Sequence, residues 1–235
     1  MHSAQQRILL KLTGNIFFND TELVDSAFID NLVLQVKQLS AKYQFGIVVG
    51  GGNIFRGSQQ GKRLGLSSWA AHTCGMIATL INGVALRDKF IKAGIPATLV
   101  SALACPEIAE SISQQAVEEG LKTGACIIFA GGTGNPYFTT DTNAVLRALE
   151  IGATQIWKGT SVTGVFDADP RQNQKANLLK TVTYQQALAQ NLGIMDSTAF
   201  TLAQEHGLTI RVFDIFEPNA LLTVARDPEY GTIIQ

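Results

Sequence analysis

Three glycine-bearing segments in this sequence follow short apolar runs, and each carries donors suited to an anion. The longest, Ala130-Gly131-Gly132-Thr133-Gly134-Asn135-Pro136-Tyr137-Phe138-Thr139-Thr140-Asp141, lies between the apolar run 125–129 and a helix-forming stretch. Glycine lets backbone N–H groups approach an anion closely. Threonine hydroxyls sit where the following helix presents unpaired N–H groups and its positive dipole end. Lys11-Leu12-Thr13-Gly14 and Gly50-Gly51-Gly52-Asn53-Ile54-Phe55-Arg56-Gly57 repeat the arrangement and add a lysine and an arginine. A phosphate is the natural guest of such loops, and three of them point to two phosphorylated ligands. Taken singly, each residue has a plainer use: Lys11 as an edge-strand charge, Arg56 as a helix cap or half of a surface ion pair, single glycines as turns. Three successive glycines after a buried strand would weaken a structure with no need of close backbone approach.

Hydropathy gives the elements that must hold these loops. Strand-like runs at 7–12, 45–49, 97–101, 125–129 and 155–158 alternate with amphipathic stretches at 26–40, 67–93, 112–122 and 142–151. Repeated alternation of this kind predicts a three-layer αβα sandwich with a mostly parallel central sheet, in which ligands gather outside the carboxyl ends of the strands. All three glycine loops fall at those ends. The polar run 165–177 predicts an irregular excursion or small hairpin. Helices at 184–190 and 197–206, a strand at 209–214, a short helix after Pro218 and a last strand at 232–234 follow it. At 235 residues the chain suits a single domain with a sizeable core, and no repeat or linker interrupts it.

Composition narrows the function classes. Hydrophobic residues at 46% and charged residues at 16% permit a buried core and argue against disorder. A net charge of −1, with Lys and Arg scattered, leaves no footprint for nucleic acid. The first residues lack the apolar segment of a signal peptide, so a cytoplasmic location is expected. No uninterrupted apolar run reaches the roughly 18 to 20 residues that span a bilayer, so no membrane partner is expected. Cys74, Cys105 and Cys126 are odd in number and not spaced as metal ligands, and they are expected as reduced, mostly core thiols.

The familiar nucleotide fingerprints are missing. Gly57-Ser58-Gln59-Gln60-Gly61-Lys62-Arg63 is one residue short of a Walker loop and ends in Arg, so it reads as a solvated loop. None of the glycine runs fits GxGxxG. A phosphotransferase of another type remains.

An ordered set of segments carries a resemblance over essentially the whole chain. These are Lys11 to Gly14, Val49 to Gly57, Gly75-Met76-Ile77-Ala78-Thr79 with Asn82-Gly83, Gly132 to Asp141, Gly164-Val165-Phe166 with Ala168-Asp169-Pro170, and Met195-Asp196. In that order they resemble the bacterial uridylate (UMP) kinases of the amino-acid-kinase family. The run Thr133 to Asp141 resembles uridylate kinases rather than the carbamate, acetylglutamate and aspartate kinases of the wider family. The resemblance implies an amino-acid-kinase-like fold and Mg²⁺-dependent in-line transfer of the ATP γ-phosphoryl group to UMP, giving UDP and ADP in pyrimidine nucleotide biosynthesis. It further implies an acceptor-binding half at about 1–150, a donor-nucleotide half at about 151–235, a homohexamer and a GTP effector.

Phosphoryl transfer between two phosphates asks for positioning and charge neutralisation. No general base is needed, because the second pKa of a phosphate monoester is near ~6 and the acceptor oxygen is already anionic. Lys11, Arg56 and Lys158, with Mg²⁺, are the cations expected around the transferring group. By resemblance, Lys11, Leu12, Thr13 and Gly14 cover the ATP phosphates, while Gly52 and Arg56 also reach the donor and Gly51 the acceptor. Thr133, Gly134, Asn135, Pro136, Tyr137, Phe138, Thr139 and Thr140 wrap the UMP. Asp141 holds the Lys11 and Lys158 ammonium groups, and Thr160, Phe166 and Asp169 serve the donor nucleotide. Asp169 is expected to act through hydrogen bonds or Mg²⁺, and the exact metal ligands are left open.

Some positions depart from that pattern. His72 stands where uridylate kinases usually carry an aspartate for the acceptor ribose, and a neutral imidazole offers one acceptor where a carboxylate offers two oxygens, so a weaker hold on UMP is expected. Ser161 and Thr163 replace a lysine and an aspartate in the donor segment, and Asn15 replaces a glutamate in the first loop. Asp196 suits a helix cap and a functional role equally. Two alternatives stand beside the main reading: a kinase of the same fold with a carboxylate or carbamate acceptor, and a non-catalytic relative that binds nucleotide or stores an oxyanion.

Overall fold

The computed structural model describes residues 5–17, 26–168, 173, 175–190 and 192–235. The first part runs β1 (Gln6–Leu12), a 3-10 turn at Gly14–Phe17, α1 (Ser26–Leu39), β2 (Tyr43–Val49), a π-helical turn at Gly57–Gly61, α2 (Ser68–Lys92), β3 (Ala97–Ser101), β4 (Glu110–Ser111), α3 (Gln114–Lys122), β5 (Cys126–Ala130) and α4 (Thr140–Glu150). It continues with β6 (Gln155–Thr160), β7 (Val165–Phe166), β8 (Leu178–Leu179), β9 (Thr181–Val182), α5 (Tyr184–Ala189), α6 (Ser197–Glu205), β10 (Thr209–Asp214), α7 (Ala220–Arg226) and β11 (Thr232–Ile234). Nine strands form one sheet in the order β4-β3-β5-β2-β1-β6-β10-β11-β9. It is parallel except at the β10–β11 pair.

The three layers follow from the period-two geometry of strands. Ile8, Leu10, Leu12, Ile47, Val49, Ile128 and Trp157 face one side, where α1, α2 and α7 pack. Leu9, Val48, Ile127, Phe129, Ile156 and Val212 face the other, where α3, α4, α5 and α6 pack. Sequence-local caps start the helices: Ser67 for α2, Ser113 for α3, Thr139 for α4, Asp196 for α6, and a capping box of Thr183 with Gln186 for α5.

Several expectations change. β4 and β9 are two-residue strands that no alternation pattern reveals. The 57–63 segment is solvated at Ser58, Gln59, Lys62 and Arg63 but is no loop: it is a π-helical turn continued by two helical residues, with Gly61 buried against Ala71. α4 begins at Thr140, two residues before the expected start, because Thr139 accepts the Asp141 N–H. The excursion after β6 is framed by the β7–β8 hairpin, with Val165 opposite Leu179, and Asp169 lies outside the described residues. Among the cysteines only Cys126 is buried. α2, 25 residues long, is apolar enough by length and composition to cross a bilayer. Unbroken apolar runs do not reveal this, because polar residues such as Thr73 and Asn82 interrupt the helix. In this fold Ala78, Leu86 and Phe90 of α2 are buried in the interior.

Candidate active site

Strand register creates the central feature. Lys11 on β1 lies opposite Lys158 on β6, and both occupy the face that carries Leu9 and Val212, toward α4. Like charges directly opposite on adjacent strands repel, so the pair needs a counterion. Asp141, in the first turn of α4, provides it. Lys11 Nζ lies 2.9 Å from Asp141 Oδ1 and Lys158 Nζ 2.8 Å from Oδ2. The side chains are 12%, 7% and 16% exposed for Lys11, Lys158 and Asp141. The Lys158 contact is a directed hydrogen bond. The Lys11 approach lacks hydrogen-bond direction, so Oδ1 has a charge contact but no hydrogen-bond partner. Lys158 also donates to the Ile194 carbonyl.

Burial sets the electrostatics of this trio. It pushes the Asp141 carboxyl up, but the Lys11 and Lys158 charges overcome it and hold the group below the ordinary carboxylate range. Burial lowers Lys158, Lys11 lowers it further, and Asp141 with Asp196 offsets part of this, leaving a value of about 8.

Two clefts open beside the trio at the carboxyl ends of the strands. The first, about 620 Å³, is lined by Lys11, Thr13, Lys158, Thr160, Phe166 and Ile194 among others. The second, about 550 Å³, is lined by Gly51, Gly52, Arg56, His72, Asn135 and Thr140 among others. Arg56, Lys62 and His72 are its ionisable lining residues, with no carboxylate among them. Backbone contact joins the β1 and β2 loops: a Cβ on Gly14 would stand 2.8 Å from the Gly52 nitrogen. Buried Asn82 pins the second glycine loop, its amide donating to the Gly50 carbonyl at 2.7 Å and to Asn53 Oδ1 at 2.8 Å.

The loop after β5 forms the outer wall of the second cleft. Gly131 has φ +76°, and a Cβ there would meet the Leu103 nitrogen at 2.8 Å, so only glycine fits. The Thr79 hydroxyl accepts its N–H at 2.8 Å. Tyr137 adopts φ 73°, uncommon for a bulky residue, and its ring lies 5.0 Å from that of His72.

Against this geometry the expected residues separate. Lys11, Thr13, Thr160 and Phe166 line the first cleft together with Lys158. Gly52 and Arg56, expected at the donor, line the second cleft with Gly51 and His72 instead. Asn135, Phe138, Thr139 and Thr140 line that cleft too, whereas Thr133, Gly134, Pro136 and Tyr137 do not. Leu12 is fully buried in the core and offers a ligand only its backbone, and Gly14 lies buried beneath Gly52. Sequence reasoning missed Lys62, dismissed with its loop, and the 192–194 segment of the first cleft. Gly57 and Gly61 gave the segment the look of a loop and hid its helical continuity into Lys62. No sequence pattern marks the 192–194 segment, whose backbone carbonyl does the work.

A parallel sheet whose glycine loops meet two clefts, with a buried lysine-aspartate-lysine trio between them, defines a protein built to bring two anionic ligands together. The chain belongs to the amino acid kinase family, whose pattern matches residues 6–214. Within it, the uridylate kinase of Psychromonas ingrahamii is 42% identical over 235 residues, covering 99% of this chain and 94% of its own. The crystal structure of the UMP kinase from Ureaplasma parvum superposes with TM-score 0.94 at 37% identity, covering 99% of this chain and 100% of its own. That of Bacillus anthracis does so with TM-score 0.93 at 29% identity, covering 98% and 96%.

Proposed function

We propose that this chain is an ATP:UMP phosphotransferase, transferring the γ-phosphoryl group in line to UMP. The observation that carries it is the Lys11-Asp141-Lys158 trio, buried where the first cleft meets the start of α4 while the neighbouring Thr139 and Thr140 line the second. The reading puts ATP in the first cleft, against Thr13, Thr160 and Phe166, and UMP in the second. Lys11 and Lys158 neutralise charge that builds on the transferring group, a preorganised electrostatic role. Asp141 keeps their ammonium groups in place. Arg56 serves the second cleft's phosphate rather than ATP alone. Leu12 and Gly14 act through their backbone, and Thr133 to Tyr137 shape the outer loop. Asp169 remains a donor-side residue by resemblance.

Among the described residues no group of three or more His, Cys, Asp or Glu side chains could cage a metal. This suits Mg²⁺ carried by the nucleotide, an ion that keeps waters and phosphate ligands and takes few carboxylates. When bound, the ion supplies charge neutralisation at the phosphates.

The reading extends to a soluble, cytoplasmic enzyme of pyrimidine nucleotide biosynthesis, organised as one domain with an acceptor half near 1–150 and a donor half near 151–235. Self-association is supported by the exposed apolar stripe Trp69, Ile77, Ile81, Val84 and Ile91 along α2, and the homohexamer rests on resemblance. The GTP effector rests on resemblance alone. A carboxylate-acceptor kinase and a non-catalytic binder are disfavoured by the relatives named above.

The test is ADP formation from Mg-ATP with UMP, CMP, AMP or carbamate as acceptor, with Lys11→Ala as control. UMP-selective turnover lost in the variant is the expected result. Nucleotide binding without turnover on any acceptor would reject it in favour of the binding protein. Sedimentation of the same sample measures the hexamer.

A further inference from the structure

Asp196 serves more partners than a helix cap requires. It accepts the Ala199 N–H at 2.9 Å as the cap of α6, and one oxygen suffices for that. Its carboxylate also accepts the Thr142 hydroxyl, 2.9 Å from Oδ1 and 3.1 Å from Oδ2, and the Thr139 hydroxyl through Oδ2. Thr139 in turn accepts the Asp141 N–H at 3.0 Å. With its own proton committed to Asp196, Thr139 must turn a lone pair to that N–H. Two residues before Asp196, the Ile194 carbonyl accepts the Lys158 ammonium. One short segment therefore grips α4 from its cap and Lys158 from its far side, touching the first cleft at Gly193 and Ile194 and the second at Thr139.

We propose that Asp196 is a positioning residue for phosphoryl transfer: through Thr139, Thr142 and the 194–196 backbone it locks the start of α4 and the Lys158 ammonium into one unit spanning both clefts. It works through these groups and does not itself line either cleft. The charged groups facing Lys158 are Lys11 from β1, Asp141 from α4 and Asp196 ahead of α6. Of these, Asp141 and Asp196 favour its protonated form.

The proposal rests on the kinase reading, and its test separates the two. Asp196→Asn keeps the cap, since asparagine caps as well as aspartate, but removes the charge and one acceptor. Expected are a folded protein with a Tm lowered by only a few degrees for the lost acceptor, a kcat lowered roughly 10- to 100-fold as for a small misplacement, little change in either KM, and an alkaline limb of kcat displaced to lower pH. Thr142→Val should lower kcat as well, and add little in the Asp196→Asn background, because both act through one contact. A direct titration of the Lys158 ammonium by ¹⁵N NMR, assigned with Lys158→Met, should move to lower pH in Asp196→Asn. Wild-type kcat, pH limb and Lys158 titration in that variant would reduce Asp196 to a cap and overturn the proposal. If the wild-type protein fails to phosphorylate UMP, the kinase reading falls on its own, and the NMR titration still decides whether Asp196 governs Lys158.

Discussion

The two clefts are built by different means. In the first, Lys11 and Lys158 project from neighbouring strands at a shared register and are buried against Asp141. In the second, loops pinned to α2 carry more exposed side chains, Phe138 being 48% exposed and Arg56 exposed. A strand-built site ties its charges to the fold, so damage there costs both stability and rate. A loop-built site leaves side-chain identity free, so damage there costs affinity. Departures from the uridylate kinase pattern occur in both clefts, at Ser161 in the first and at His72 in the second, while the trio is intact.

The sharpest way to break that contrast is Asp141→Ala. It leaves two buried ammonium groups facing each other, so kcat should drop at least roughly 100-fold and stability by about 3 kcal/mol, measured by steady-state kinetics and urea denaturation. A variant that kept its stability would show that the trio is not tied to the fold.

The next effect is one of pH. Lys158 is lowered to about 8 by burial and by Lys11, so kcat should fall roughly tenfold per unit above that point as the ammonium loses its proton. Its contribution to stability has the opposite sign. The unfolded chain binds the proton more tightly, so this contribution rises between about 8 and the ordinary value of 10.5. Asp141, held below its ordinary value, contributes stability that is present above the unfolded carboxylate pKa of about 3.9 and is lost as pH falls through the folded one. Parallel profiles of kcat and denaturation midpoint against pH check both signs.

Smaller effects belong to the second cleft. Asn82→Ala removes the buried bridge to Gly50 and Asn53 and should cost about 2 kcal/mol. It should also raise the KM for UMP roughly fivefold, as about 1 kcal/mol of lost loop positioning would, with KM for ATP unchanged. His72→Asp should be the mildest: stability within about 0.5 kcal/mol and a KM for UMP lowered roughly threefold, the effect of a modest hydrogen-bond gain. An unchanged KM would show that His72 does not face the ribose.

Legibility in the sequence followed the same division. The sheet strands of four or more residues, the helices and the glycine loops were readable because apolar periodicity and turn residues are local. Lys11 was readable because a cation that ends an apolar strand and meets Thr-Gly has few other uses, whereas its grouping with Lys158 and Asp141 came from the family resemblance. That Arg56 and Gly52 line the second cleft was not readable, since a loop's direction depends on a long-range pin, Asn82, that lies 32 residues from Gly50 in the chain. The role of Ile194 was invisible, because any residue's carbonyl would serve. The two-residue strands β4 and β9 exist only because a neighbour offers its edge.

The opposition of Lys11 to Lys158 also bears on how the sheet finds its alignment. A two-residue slip of β1 against β6 would keep Leu9 and Leu10 on their proper faces, so apolar packing alone discriminates weakly against it. Such a slip would strand one buried ammonium away from Asp141, at the cost of an unpaired charge. The buried charges thus serve as a keyed tooth between two otherwise smooth strands, and the misaligned sheet is rejected by the same groups that pair with Asp141.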